Sequence, residues 1–188
     1  MHKTREQYMN AFIAKARPHF AKIGSPIPER VRASIGFTSK GLRGKRIGEC
    51  WDSFNSGDAT FEMFIVPSIE DPKRICGILT HELIHAAVGL EAGHGSAFRK
   101  VAIALGLEGK MTATTEGEKW HAWADPIIAK LGPLPHSKLT GNSTGKKKQT
   151  TRMIKLSCEC GFSCRTARAN IVDDMICPTQ CGGELVEG

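Results

Sequence analysis

Residues 71–96 read DPKRICGILTHELIHAAVGLEAGHGS, and this stretch decides both the fold and the chemistry. Asp71-Pro72 supplies an N-cap and a proline at the first helical position, so a helix is expected over about 71–90. His81 and His85 are four residues apart, which places them one turn apart on the same helical face, able to grip one ion. Glu82 lies about 100° round from His81, close enough to reach a metal-held water without ligating the metal. Cys76, Leu79, Leu83, Ala87 and Leu90 form an apolar stripe on the opposite side, which is expected to anchor the helix in a core and turn the His/Glu face towards a cleft.

An open catalytic zinc takes three protein ligands and leaves one position free. The third ligand is expected to be His94, nine residues after His85. The flanking Gly93 and Gly95 let the chain leave the helix, turn, and point His94 back. Ser96 can then cap the next helix. Glu91, near the helix end, competes for the third position. Gly89 lies one turn after His85, where a bulky side chain would crowd the site.

Working outward, Tyr8, Phe12, Ala16 and Phe20 recur every four residues, so residues 4–23 read as a helix that Pro18 kinks or ends early. Strands are expected at 31–37, 47–53 and 60–67, the last (FEMFIV at its centre) almost continuously apolar and therefore buried. A basic loop, SKGLRGKR, joins the first two, and Asn55-Ser56-Gly57-Asp58 turns the chain before the third. Further helices are expected over 96–105, stopped by Gly106, and over 116–131, where Pro126 interrupts. Trp120 and Trp123, three apart on that helix, read as packing residues. The expected architecture is α+β: an N-terminal helix, a small antiparallel sheet, the HELIH helix and further helices over 1–130. A flexible basic linker follows over 131–150, then a small four-cysteine ribbon over 151–188.

The chain has seven cysteines, five of them near its C-terminus. Cys158-Glu-Cys160-Gly and Cys177-Pro-Thr-Gln-Cys181-Gly are separated by 16 residues, and each pair is followed by glycine, as in a zinc knuckle. Cys158, Cys160, Cys177 and Cys181 are therefore the expected ligands of a second, structural zinc. Cys164 competes with Cys158, since it would give two pairs with equal gaps. The segment is too short to fold on an apolar core and needs the metal.

No run of 18 apolar residues occurs, and the N-terminal stretch lacks the apolar centre of a secretory signal, so no membrane span and a cytoplasmic location are expected. The formal charge of +7 favours a polyanion partner, or else marks only a basic surface. Lys155, Arg165 and Arg168, with Lys146, Lys147 and Lys148 of the linker, form a basic set able to meet the phosphates of DNA. His2, His19 and His136 read as surface residues. No phosphate loop and no nucleophile elbow is present.

The stretch HELIHAAVGLEAGHGSAF resembles the SprT-like metalloprotease signature, in which HExxH is followed by a Gly-His-Gly turn and a helix with an early aromatic, here Phe98. The preceding strand and helix match over FEMFIVPSIEDPKRICGILTHELIH, the resemblance spans about 5–131, and the cysteine ribbon resembles the family's usual appendage; the compact form looks most like bacteriophage-encoded members. The resemblance implies a zincin-like protease domain with Glu82 as general base and acid, zinc on His81, His85 and His94, and a polypeptide substrate, in some members one crosslinked to DNA. Two other readings stay open: a nucleic-acid-binding ribbon protein with a structural or vestigial HELIH zinc, and hydrolysis of a non-peptide amide. A donor for the oxyanion is also required. Tyr8, the only tyrosine, is far away in sequence, which leaves His121 and Arg99 as candidates, though each reads more readily as a surface or core-supporting residue.

Overall fold

A computed structural model describes residues 2–41, 44–140 and 153–188. The chain divides into two compact units, Met1–Gly141 and Asn142–Gly188. The first is built from helices α1 (Arg5–Lys22), α2 (Pro72–Val88), α3 (Ser96–Leu105) and α4 (Glu118–Leu131), with strands β1 (Val31–Ile35), β2 (Gly48–Trp51), β3 (Phe61–Ile65), β4 (Leu107–Lys110) and β5 (Ala113–Glu116). The second holds β6 (Ile154–Ser157), β7 (Ser163–Thr166) and β8 (Val186–Glu187). The α+β class expected from the sequence is the class observed.

Helix α1 starts where the Thr4 hydroxyl accepts from the Gln7 N–H, and it runs through Pro18 without ending. Its face of Tyr8, Met9, Phe12, Ile13, Ala16 and Phe20 is buried in the core. Each large side chain there contributes about 1.5–3 kcal/mol of burial. Trp120 is fully buried, and Trp123 stacks on Phe12 and on His19, so both tryptophans of α4 pack as expected. His19, read as a surface residue, is half-buried by that stacking.

The three-stranded sheet has the order β1-β3-β2. It is mixed, not antiparallel as expected: β1 runs parallel to β3 (Val31 opposite Phe61, Ile35 opposite Ile65), and only β2 is antiparallel (Gly48 opposite Ile65). Side-chain alternation is the same for either strand direction, so the pattern carries no information on it. What sets the direction is the connection from β1 to β2, both of whose ends bond to the end of β3: Gly36 N–H donates to the Ile65 carbonyl, and Val66 N–H to the Ile47 carbonyl. The chain thus crosses the end of the apolar central strand. Met63 and Ile65 of β3 are fully buried.

The hairpin β4–β5 was not apparent in the sequence. It pairs Leu107 with Glu116 and Lys110 with Ala113, and β5 packs on α2. Helix α4 consequently starts at Glu118, two residues after the position expected, and it runs through Pro126 without the interruption expected there.

Residues 132–140, expected to begin the linker, lie on the first unit. Arg5, only 4% exposed, donates to four carbonyls: those of Pro67 (3.2 Å), Ile69 (2.9 Å), Pro135 (3.3 Å) and His136 (3.3 Å). Leu139 N–H donates to the Pro67 carbonyl, and Lys138 pairs with Glu70. The rest of the expected linker, with Lys146, Lys147 and Lys148, lies outside the described residues.

Arg5→Ala removes the shared donor and leaves buried carbonyls unsatisfied, at a cost of roughly 3 kcal/mol. The expected result is faster tryptic cleavage at Lys138 together with a lower denaturant midpoint. Unchanged cleavage at Lys138 would mean that 132–140 is not held by Arg5.

Candidate metal centres

Helix α2 begins as its sequence dictates, with the Asp71 carboxylate accepting from the N–H groups of Lys73 and Arg74. Ile75, Cys76, Leu79, Leu83 and Ile84 are buried on its core side. Thr80 fixes the rotation of the helix: its hydroxyl donates to the Cys76 carbonyl (2.8 Å) and accepts from the Trp120 indole (3.0 Å). The apolar stripe is shorter than expected. Ala87, half-buried, still packs against the core, whereas Leu90 falls in a separate 3-10 turn and lines the cavity instead.

The opposite face presents His81 and His85, and His94 returns to meet them. The His94 Nε2 lies 3.1 Å from that of His81 and 3.2 Å from that of His85. Three ligands about 2.0–2.1 Å from one tetrahedral ion stand about 3.3 Å apart, so the three nitrogens fit a shared ion. The ligand atoms of the three histidines lie within 4.8 Å of one another, and Glu91 is not in the group. The return is made by two glycines with positive φ, Gly89 (87°) and Gly93 (49°). Gly89 is thus needed for its backbone, and a Cβ there would meet the Glu91 carboxylate rather than the histidines. Gly95, not Ser96, occupies the N-cap of α3, and it makes no side-chain cap; Ser96 is the first helical residue.

Phe98, fully buried, forms the floor under all three rings, with centroid distances of 4.7, 4.6 and 5.0 Å to His81, His85 and His94. The Thr114 hydroxyl lies 2.8 Å from the His81 Nδ1. A proton on Nδ1 donated to Thr114 leaves the Nε2 lone pair directed at the ion position. Burial, followed by repulsion from the other two rings, pushes His81 down to about 3; burial and His94 push His85 down to about 4. Burial also lowers His94, with help from Arg46. All three are therefore neutral near pH 7 and ready to ligate.

Glu82 lines the same cavity, of about 390 Å³, without joining the histidine group. Strand β2 comes so close that a Cβ on Gly48 would sit 2.6 Å from the Glu82 Oε1. Burial, with the Glu49 charge adding to it, pushes Glu82 up to about 8, against the opposing pull of Arg46 and the Cys50 N–H. Arg46 and Arg74 also line this cavity, and neither was picked out from the sequence. Arg46 pairs with Glu49, Arg74 with Glu116 (2.7 Å). The two candidate oxyanion donors, which the sequence reads more readily as surface or core-supporting residues, are elsewhere. His121 bonds Asp125 (3.1 Å), and neither it nor Arg99 lines the cavity; Tyr8 is buried in the core, its hydroxyl without a partner among the described residues.

In the second unit, β6 pairs with β7 on one side and β8 on the other. Among the described residues of this unit only Leu156, Cys158 and Cys177 are buried, so there is hardly an apolar core. The sulfurs of Cys158, Cys160, Cys177 and Cys181 lie within 4.8 Å of one another, with 3.6 Å between Cys158 and Cys181 and between Cys160 and Cys177. Sulfurs about 2.3 Å from one tetrahedral ion stand about 3.8 Å apart. Cys164 is outside the group: it sits in β7 opposite Leu156. The four thiols share their protons: the Thr179 hydroxyl and then the Gly183 N–H lower Cys181, while Cys158, against the Cys160 N–H, is raised by burial and by bonds from the neighbouring thiols. Lys155 and Arg165 are exposed and directly opposite each other on β6 and β7, whereas Arg168 is paired with Glu187.

No helix among the described residues is long and apolar enough to cross a membrane. Comparison with protein families, with curated proteins and with solved structures finds no match.

The buried carboxyl makes the metal-free protein pH-sensitive with a definite sign. Below pH 4.5 Glu82 is protonated whether the chain is folded or not. Above it the unfolded chain sheds the proton while the folded chain keeps it up to about 8, so stability is lost as pH rises through that window. His81 and His85 act oppositely, and their contribution is lost as pH falls below 6.5. Glu82→Gln is therefore expected to stabilise chelator-stripped protein increasingly from pH 5 to pH 9, reaching on the order of 4 kcal/mol. Denaturant titrations at both pH values measure it, and a pH-independent difference contradicts the buried carboxyl.

Proposed function

We propose that the first unit is a zinc-dependent hydrolase that cleaves peptide bonds, and that the second is a zinc ribbon held by Cys158, Cys160, Cys177 and Cys181. The observation that carries this reading is the placement of a three-histidine set and the separate carboxyl of Glu82 in one open cavity. A structural site closes its fourth position with a protein ligand, and here none of the described residues fills it. An ion bound there would supply Lewis acidity, lowering the pKa of a water and polarising a carbonyl. Glu82 takes the proton of the attacking water and returns it to the leaving amine, a role for which the positive charge of an ion on the three histidines would favour its carboxylate form. His81, held by Thr114, and His85 and His94, backed by Phe98, keep the three lone pairs converged. The likeness of HELIHAAVGLEAGHGSAF to the SprT-like signature agrees with a zincin-like protease, including the phage-encoded forms, and makes polypeptide, free or attached to DNA, the substrate to test first.

Metal analysis and one variant test the reading. Wild type is expected to hold two zinc ions per chain, His81→Ala one and Cys177→Ser one. Glu82→Gln is expected to keep both ions and lose about 10²–10⁴-fold in cleavage of casein, assayed with and without DNA. Zinc-loaded wild type that cleaves no protein under either condition overturns the proposal.

One feature favours a nucleic-acid role for the ribbon as well. Like charges directly opposite on a sheet destabilise it, and Lys155 and Arg165 face each other with no ion-pair partner among the described residues. A phosphate backbone relieves that repulsion. Lys155→Glu with Arg165→Glu is expected to weaken DNA binding and flatten its salt dependence by about two counterions. An unchanged salt slope counts against the ribbon as the contact.

A further inference from the structure

The hydrolytic reading requires a donor for the negative charge that forms on the substrate carbonyl, and three cations line the cavity: Lys45, Arg46 and Arg74. Arg74 is held at one nitrogen by two acceptors, its Nη1 donating both to Glu116 (2.7 Å) and to the Thr114 carbonyl (3.2 Å). Lys45 has no anchoring bond among the described residues. Arg46 is anchored through one nitrogen, as Arg74 is, but it is the more open of the two to an incoming substrate, its side chain 49% exposed against 30%. Its Nη1 donates to the Glu49 carboxylate, while its Nε and Nη2 meet no acceptor among the described residues.

The anchor is rigid. Glu49, 8% exposed, also accepts from the Ser39 N–H (2.7 Å), the Ser39 hydroxyl (2.6 Å) and the Trp51 indole (3.1 Å). Four donors thus hold one carboxylate, and that carboxylate holds one edge of the guanidinium, leaving the other edge free. A fixed cation facing a cation site is unfavourable until an anion arrives between them. That is the behaviour of a group whose interaction is made in the transition state and not before.

We propose that Arg46 donates to the developing oxyanion and that Glu49 positions it. This rests on the hydrolytic reading above. As the water oxygen bonds to the carbonyl carbon, the carbonyl π pair moves to its oxygen, Glu82 takes the water proton, and the free N–H edge of Arg46 donates to that oxygen. When the C–N bond breaks, the oxygen pair re-forms the C=O bond and Glu82 passes its proton to the amine nitrogen.

Three readouts test it: turnover of a peptide substrate, binding of a phosphinic pseudopeptide whose anionic oxygens mimic the oxyanion, and zinc content. Arg46→Gln is expected to keep both zinc ions, lose about 10²–10³-fold in kcat with KM nearly unchanged, and bind the phosphinic compound about 100-fold more weakly. Glu49→Gln is expected to lower kcat in the same direction by about tenfold, because the guanidinium then wanders. Should Arg46→Gln fail to fold, Arg46→Lys decides: a single ammonium cannot present the planar edge, so a loss of at least about tenfold in kcat is expected, and wild-type kcat overturns the proposal. An active wild type whose Arg46→Gln variant matches it in kcat and in phosphinic affinity overturns the role of Arg46 and leaves the hydrolase reading standing. A zinc-loaded wild type with neither turnover nor phosphinic binding overturns both.

Discussion

Two imidazoles one turn apart converge on a point only if their helix cannot roll. In α2 this constraint is met from behind. Leu79 and Leu83 are fully buried on the core side, and between them Thr80 is bonded both to its own helix and to Trp120 on α4. Replacing either partner would leave a buried polar atom unmatched, so the rotation of α2 is set by hydrogen bonding as well as by packing. In front, β2 approaches so closely at Gly48 that a methyl group there would strike both Ile78 and Glu82. The histidine face, the carboxyl and the strand beside the cavity are therefore one mechanical assembly, and its precision comes from the core.

That is also why much of the site could be read from sequence. Ligand spacing, caps and glycines are local features: Asp71, the HELIH pair and the turn through Gly93 and Gly95 all lie within 25 residues. The contacts that complete the site are not local. Thr114 reaches His81 from 33 positions away, on a hairpin with no apolar alternation, where Leu107 and Thr114 alone are buried. That hairpin exists because it docks on α2, and short-range propensity gives no sign of it. Arg46 and Glu49 were hidden for a related reason. In SKGLRGKRIGEC they look like a solvated basic loop running into a strand, and only the crossing of that loop over the end of β3 brings them to the cavity.

The cysteine unit presents the opposite case. Its unequal gaps, one residue in the first pair and three in the second, leave open which sulfurs meet, yet the choice guided by the trailing glycines is the one the fold adopts. Gly161 and Gly182 both have positive φ, at 91° and 68°, and they close the turns that bring each pair inward. Cys164 is kept out by its place in the β6–β7 ladder.

The two clusters also differ in what they do to the charge of an ion. Three neutral imidazoles add no negative charge, so a dication among them keeps its full pull on a water or a carbonyl. Four thiolates overcompensate a dication and fill every position, which quenches that pull and leaves only cross-linking. The surroundings follow the same division. The histidine set sits in a unit with an extensive apolar core, and the cavity beside it carries a buried carboxyl and two anchored guanidinium groups. The cysteine set sits in a unit with one buried aliphatic side chain among the described residues, Leu156, where a bound metal would supply the free energy of folding. On the proposed reading, loss of an ion from the first set would silence chemistry while the apolar core remained, and loss of an ion from the second would remove what holds that unit together.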